Sequence, residues 1–244
     1  YSCIAAGVAR LFCFELIPNF RQPYFAAGFS DFWRRWHISL SSWLRDYLYI
    51  PLGGNRKGRF RKYANLLVVF LASGLWHGGA PTFLAWGLLH GLLLVAEDFW
   101  HFVWGKCRKG RPLPFRSLLR AAGSCLTFSA VTCLWIVFRS ETLPMAWVCL
   151  KNLFTRWQGF AFAKEFLYAM GLNRTEFWIA VVAALLLFIL DLVSERTKEE
   201  PFLWVYRSPF PLRWGICLIL LVSTFIFGRY GTGYDAAGFI YLNF

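Results

Sequence analysis

The sequence predicts an all-α, polytopic integral membrane protein with about five membrane-spanning helices plus interfacial or re-entrant ones. Two observations lead there. The 244-residue chain is 58% hydrophobic and 16% charged, against about 25% charged in a soluble domain. Its apolar residues gather in runs near the ~20 residues that cross a hydrocarbon core. A third observation, the placement of positive charge, orients those runs. Residues 53–62 hold Arg56, Lys57, Arg59, Arg61 and Lys62, and residues 105–116 hold Lys106, Arg108, Lys109, Arg111 and Arg116.

The elements follow in order. Residues 1–17 form a helical stretch interrupted by Arg10 and closed by Pro18. Residues 31–50 read as one amphipathic helix, starting near Ser30 or Asp31 and ending before Pro51 and the Gly53-Gly54 pair. Helical neighbours lie three and four apart, so Arg34, His37, Ser41 and Arg45 share one face. Trp36, Leu40, Trp43 or Leu44, and Tyr47 form the other. Asp31 can pair with Arg34 or Arg35. Residues 63–80 are a short apolar run ending in His77, Gly78 and Gly79, read as a span or a re-entrant half-span. Residues 82–104, 118–138, 176–193 and 212–228 complete the spans. Residues 139–174 mix charge with aromatics and suit one or two helices in the interface.

If 63–80 and 82–104 cross out and back, both basic loops fall on one side, which the positive-inside rule makes cytoplasmic. Residues 194–211 are then cytoplasmic and the C-terminus is outside. The net charge of +13 would suggest nucleic acid in a soluble protein. Here the cations lie between apolar runs, so the expected partner is membrane lipid and no nucleic acid. The seven cysteines include no CxxC pair and lie mostly in apolar runs, where cysteine acts as a small hydrophobe. Neither a disulfide framework nor a metal site is expected. No HExxH, P-loop, GxGxxG or Ser-centred GxSxG is present.

Two places carry chemistry. In the first, "SGLWHGGAPTF" (73–83), an ionisable His77 sits at membrane depth, where it faces protein or a water-filled cavity by default. Gly78 and Gly79 let backbone or ligand approach closely, and Pro81 starts the next helix. A histidine there can act as general base toward an acceptor hydroxyl attacking an activated acyl group. In the second, "DFWRRWHISLSSWLRD" (31–46), an interfacial anchor explains the aromatics and arginines but not His37 amid the polar face. His90, beside Gly87 and Gly91, is expected to pack helices, and His101 to lie at the interface.

"FWRRWHISLSSWLRDYLYIPLGGNRKG" followed by "SGLWHGGAPTFLAWGLLHG" resembles the membrane-bound O-acyltransferase (MBOAT) family, in its alginate O-acetyltransferase-like branch. The opening "YSCIAAGVARLFCFELIPNF", "WIVFRSETLPMAWVCLKNLF" and the terminal "GFIYLNF" extend the likeness. The resemblance implies an MBOAT-type helical bundle, with residues 1–244 forming one transmembrane domain that corresponds to the C-terminal portion of a family member and lacks the N-terminal spans. It implies a multi-pass protein of a bacterial cytoplasmic membrane. No bound cofactor is implied; acetyl-CoA or another cytoplasmic acyl thioester serves as donor, and the acceptor is an extracytoplasmic polysaccharide. It also implies an SGNH-hydrolase-like extracytoplasmic partner. His77 falls on the family's near-invariant histidine and His37 on its second one, both catalytic by implication. Arg34, Ser41, Arg45, Ser73, Trp76 and Gly78 are the supporting, cavity-lining candidates. A transporter or channel subunit is the alternative from another class, but its expected marks, repeated halves and ionisable residues in several spans, are not evident. An inactive membrane scaffold is the other alternative.

Overall fold

The computed structural model describes residues 2–108, 115–156, 174–199 and 201–227. The described residues are helical, with no strand among them. They divide into two compact units, Tyr1–Trp157 and Gln158–Phe244.

The first unit opens with α1 (Ser2–Leu11), a short 3-10 turn (Pro23–Phe25), α2 (Phe29–Arg35) and α3 (Ile38–Leu44). A π-helical turn, Arg45–Tyr49, continues α3. Then come α4 (Gly58–Trp76), α5 (Pro81–Arg108), α6 (Arg116–Arg139) and α7 (Leu143–Thr155). Pro81 is the first residue of α5, as its pre-set φ and absent N–H favour. Thr142 caps α7 by accepting the Met145 N–H at 3.4 Å.

α4 and α5 form the most extensive pair. In lipid no hydrophobic force drives helices together, so close approach of small residues must supply the attraction. A Cβ on Gly74 would overlap the Phe83 carbonyl, one on Gly87 the Phe70 carbonyl, and one on Gly91 would press Phe70 Cβ at 3.1 Å. These three glycines let the two backbones touch. Charged residues lock the other end of the pair, the first turns of α4 against the C-terminal part of α5. The Lys62 ammonium pairs with Asp98, and the Tyr63 hydroxyl donates to Asp98 at 3.1 Å. Arg59 stacks on the Phe102 ring, 3.2 Å from its centroid.

An aromatic core joins α2, α5 and α6. Phe32, Trp86 and Val131 are fully buried there, with Trp33 and Trp135 packed against them. His90 is buried at its centre, accepting the Trp33 indole N–H at 3.3 Å.

The second unit holds α8 (Arg174–Thr197), α9 (Pro201–Arg207) and α10 (Phe210–Phe227). On α8, Leu185, Leu186, Leu187, Phe188 and Ile189 are all exposed, the surface a lipid-facing helix presents.

Three helical segments among the described residues are long and apolar enough to cross a membrane: Pro81–Trp104, Ser117–Arg139 and Phe177–Thr197. Phe210–Ile226 is apolar but shorter. The expected run 63–80 forms the C-terminal part of α4, whose N-terminal turns carry Arg59, Arg61 and Lys62. Within 139–174, where one or two interfacial helices were expected, the structure shows the helix α7; residues 157–173 lie outside the described residues, as do 109–114 of the second basic loop and the terminal stretch 228–244.

The continuous helix expected over 31–50 is corrected: it breaks at Trp36–His37. Its N-cap position is Gly28, ahead of Ser30 and Asp31. Asp31 spends its carboxylate on Arg35 at 3.0 Å and on the Ala27 N–H at 3.3 Å. Periodicity could not reveal the break, because the partner that ends the helix lies outside the periodic segment.

Candidate functional site: two histidines on one tryptophan

That partner is Asn19. Its carbonyl accepts the Ile38 N–H at 3.0 Å, and its Oδ1 accepts the Ser39 N–H at 2.9 Å. α3 therefore begins anew, capped from the upstream loop rather than by its own side chains. The Trp36 N–H closes α2 on the Phe32 carbonyl at 2.8 Å. His37, caught between the two helices, is left-handed, with φ 46° and ψ 53°. Non-glycine residues reach that region at a cost of about 1–3 kcal/mol, and histidine is among those enriched there.

The break turns His37 away from the row it was expected to share. Its ring lies 5.6 Å from Trp76 at 87° and 6.3 Å from Phe20. Burial lowers the His37 pKa below its ordinary value of 6.5, so the imidazole is neutral at pH 7. Its Nδ1 is buried and has no hydrogen-bond partner among the described residues.

His77 ends α4. Its N–H returns to the Gly74 carbonyl at 3.1 Å and the Gly78 N–H to Leu75 at 3.0 Å. Gly78 has φ +141°, and a Cβ there would sit 2.9 Å from the Phe83 ring, so glycine is required twice over. The His77 imidazole is buried among rings set edge-on to it: Trp76 at 4.8 Å, Phe138 at 5.0 Å and Trp86 at 5.4 Å. Trp76 thus contacts both histidines, each at nearly 90°. Its indole is half exposed, so the pair sits beneath an accessible edge.

A cavity of about 540 Å³ adjoins this arrangement. Arg34, Ser41, Arg45 and Ser73 line it, together with Lys62 and Asp98. His37, His77, Trp76 and Gly78 do not. The residues expected to form one wall therefore separate into two groups, an aromatic-enclosed histidine pair and a polar cavity. Ser73, one helical turn before His77 on α4, belongs to the cavity and ties the two together through a single helix.

Several supporting residues escaped the sequence reading. Glu97 accepts from the Ser30 N–H at 2.7 Å and the Ser30 hydroxyl at 2.6 Å, neutralising the positive end of α2. A Cβ on Gly28 would collide with it. The signal was available, since acids inside an apolar run are costly and point to a specific partner. Buried Asn65 donates to the Leu52 and Gly54 carbonyls at 3.3 and 3.2 Å, shaping the turn after α3. Asn19 and Phe138 carried no comparable signal, for only the folded chain brings them to the histidines.

Among the described residues no group of three or more His, Cys, Asp or Glu side chains is placed to hold a metal ion. The fold and this site define a helical membrane protein with a histidine pair beside a polar cavity. Residues 14–109, the segment carrying both histidines, match the model of MBOAT, the membrane-bound O-acyltransferase family. The chain is 40% identical over 163 residues to "Probable alginate O-acetylase AlgI" of Pseudomonas aeruginosa, covering 65% of this chain and 29% of that protein. It is 40% identical over 153 residues to the peptidoglycan O-acetyltransferase of Helicobacter pylori, covering 63% and 28%. It is 30% identical over 151 residues to the teichoic acid D-alanyltransferase of Streptococcus thermophilus, covering 57% and 36%. The matched stretch spans little more than a third of these relatives at most.

Proposed function

We propose that the protein to which this chain belongs is a membrane O-acyltransferase that moves an acetyl group from a cytoplasmic acyl thioester toward hydroxyls of an extracytoplasmic polysaccharide. One observation carries the reading: His37 and His77, distant in sequence, meet on the single indole of Trp76 inside the segment that matches the MBOAT model. The matched relatives bear the names of an alginate O-acetylase, a peptidoglycan O-acetyltransferase and a teichoic acid D-alanyltransferase. All three names describe acyl transfer to a polymer.

In the proposed step His77 is the general base. Its neutral imidazole takes the proton of an acceptor hydroxyl as that oxygen bonds to the thioester carbonyl carbon. The C–S bond then breaks and the departing thiolate takes the proton held on His77, which returns the imidazole to its neutral form. General-base action of this kind contributes about 10²–10⁴-fold. The edge-on rings of Trp76, Trp86 and Phe138 fix the imidazole and exclude water. His37 is the second catalytic histidine. Arg34, Ser41, Arg45 and Ser73 line the neighbouring cavity, while Trp76 and Gly78 hold the histidine end of α4 in shape.

The protein is placed in the bacterial cytoplasmic membrane, with about five spans contributed by this chain. Both basic segments, 53–62 and 105–116, face the cytoplasm under the positive-inside rule. An SGNH-hydrolase-like partner carrying the acyl group onward fits this orientation. The test is mass spectrometry of surface glycans from cells with the intact gene, without it, and with His77→Ala. The reading expects ester-linked acetyl to disappear in both altered strains. Unchanged acetyl content in the variant at normal abundance sinks the role of His77.

A further inference from the structure

A continuous helix over residues 31–50 would close the Ser39 N–H on the Arg35 carbonyl, four positions back. The upstream loop takes both ends of that bond. The Ser39 N–H donates to Asn19 Oδ1 at 2.9 Å, and the Arg35 carbonyl accepts the Arg21 N–H at 3.0 Å. The Ile38 N–H, which would return to Arg34 in a straight helix, goes to the Asn19 carbonyl at 3.0 Å. Phe20, between the two, sets its ring edge-on against Trp36, with centroids 4.8 Å apart. Residues 19–21 therefore clasp the break from both sides.

The broken and the straight forms both pair these backbone groups of α2 and α3, as a folded chain requires. The straight form would also release the left-handed backbone of His37, at φ 46°. A strained residue persists only where its surroundings over-determine it. Of the three hydrogen bonds in the clasp, two use main-chain atoms on both sides, which almost any residue supplies. The remaining one depends on a side chain, that of Asn19.

We propose that Asn19 is a positioning residue for the acyl-transfer step. Its side chain diverts the Ser39 N–H from Arg35, keeps the helix broken and holds the His37 imidazole against Trp76. Without it, residues 31–49 close into one helix. His37 then rejoins the row of Arg34, Ser41 and Arg45 and leaves Trp76. Asn19 touches no reacting atom; it acts through the placement of His37. The inference rests on the reading of His37 as the second catalytic histidine, whereas the exchange of hydrogen bonds is independent of it.

The experiment has two readouts on the full-length protein. One is ester-linked acetyl on surface glycans of cells holding each variant at equal abundance. The other is the electron–electron distance between spin labels at positions 34 and 47, placed on protein freed of its native cysteines. Asn19→Ala lowers acetyl at least about tenfold and moves the distance toward the about 20 Å of one continuous helix. Asn19→Asp keeps an acceptor oxygen suited to a helix N-terminus, and it restores both the wild-type distance and acetylation within a few-fold. Asn19→Ser, with a shorter reach, falls between and reads the same contact should Asn19→Ala fail to fold. Ser39→Ala changes neither readout, because the main-chain N–H is what Asn19 holds. A wild-type distance in Asn19→Ala, or an altered distance with full acetylation, overturns the proposal. His77→Ala loses acetylation at the wild-type distance, so failure of the acyltransferase reading shows in acetyl alone while the distance still tests the clasp.

Discussion

His37 carries two burdens at once, a strained backbone and a functional ring, and substitutions separate them. Glycine adopts φ 46° without strain, though it costs about 1 kcal/mol of chain entropy. His37→Gly is therefore expected to keep its melting temperature within a few degrees while transfer activity falls by at least about tenfold. Loss of abundance with unchanged specific activity would make His37 structural. Its pKa gives a second handle. The folded state favours the neutral imidazole, so the unfolded chain binds protons more readily near pH 6 and stability rises with pH there. The associated stability is complete above 6.5 and is lost as pH falls through that value toward the lowered folded pKa. A pH series of melting temperatures should show a smaller drop between pH 7.5 and 5.5 in His37→Gly than in wild type.

At the scale of elements, the α4–α5 pair is the part on which the site depends. Gly74, Gly87 and Gly91 bring the backbones together, and His77 and Ser73 both ride on α4. Gly87→Val places a branched side chain against the Phe70 carbonyl. Overpacking of this kind costs about 1–3 kcal/mol, read as a lower melting temperature and reduced activity together. Helices α4 to α6 were legible from apolar runs and from Pro81, because those signals are local. The break at His37 was not, since Asn19, eighteen positions upstream, supplies the cap. His37 and His77 were legible as residue types in costly places. Their meeting on Trp76, and the departure of Arg34, Ser41 and Arg45 into a separate cavity, depend on that break and could not be read from a straight helix.

For the whole molecule, orientation decides whether the reading is coherent. In the proposed reading the donor comes from the side that residues 53–62 face, a segment with five cations and no acid. Single cysteines placed at Arg56 and Lys109 in an otherwise cysteine-free full-length protein should both react with impermeant maleimide only from the cytoplasmic side. Labelling of either from outside would reverse the proposed direction of transfer. The central claim remains that His77 takes the proton from the acceptor. It is tested most directly by ester-linked acetyl on surface glycans of cells expressing full-length His77→Ala at wild-type abundance. The account predicts acetyl at the level of the gene deletion; acetyl at the wild-type level would contradict it.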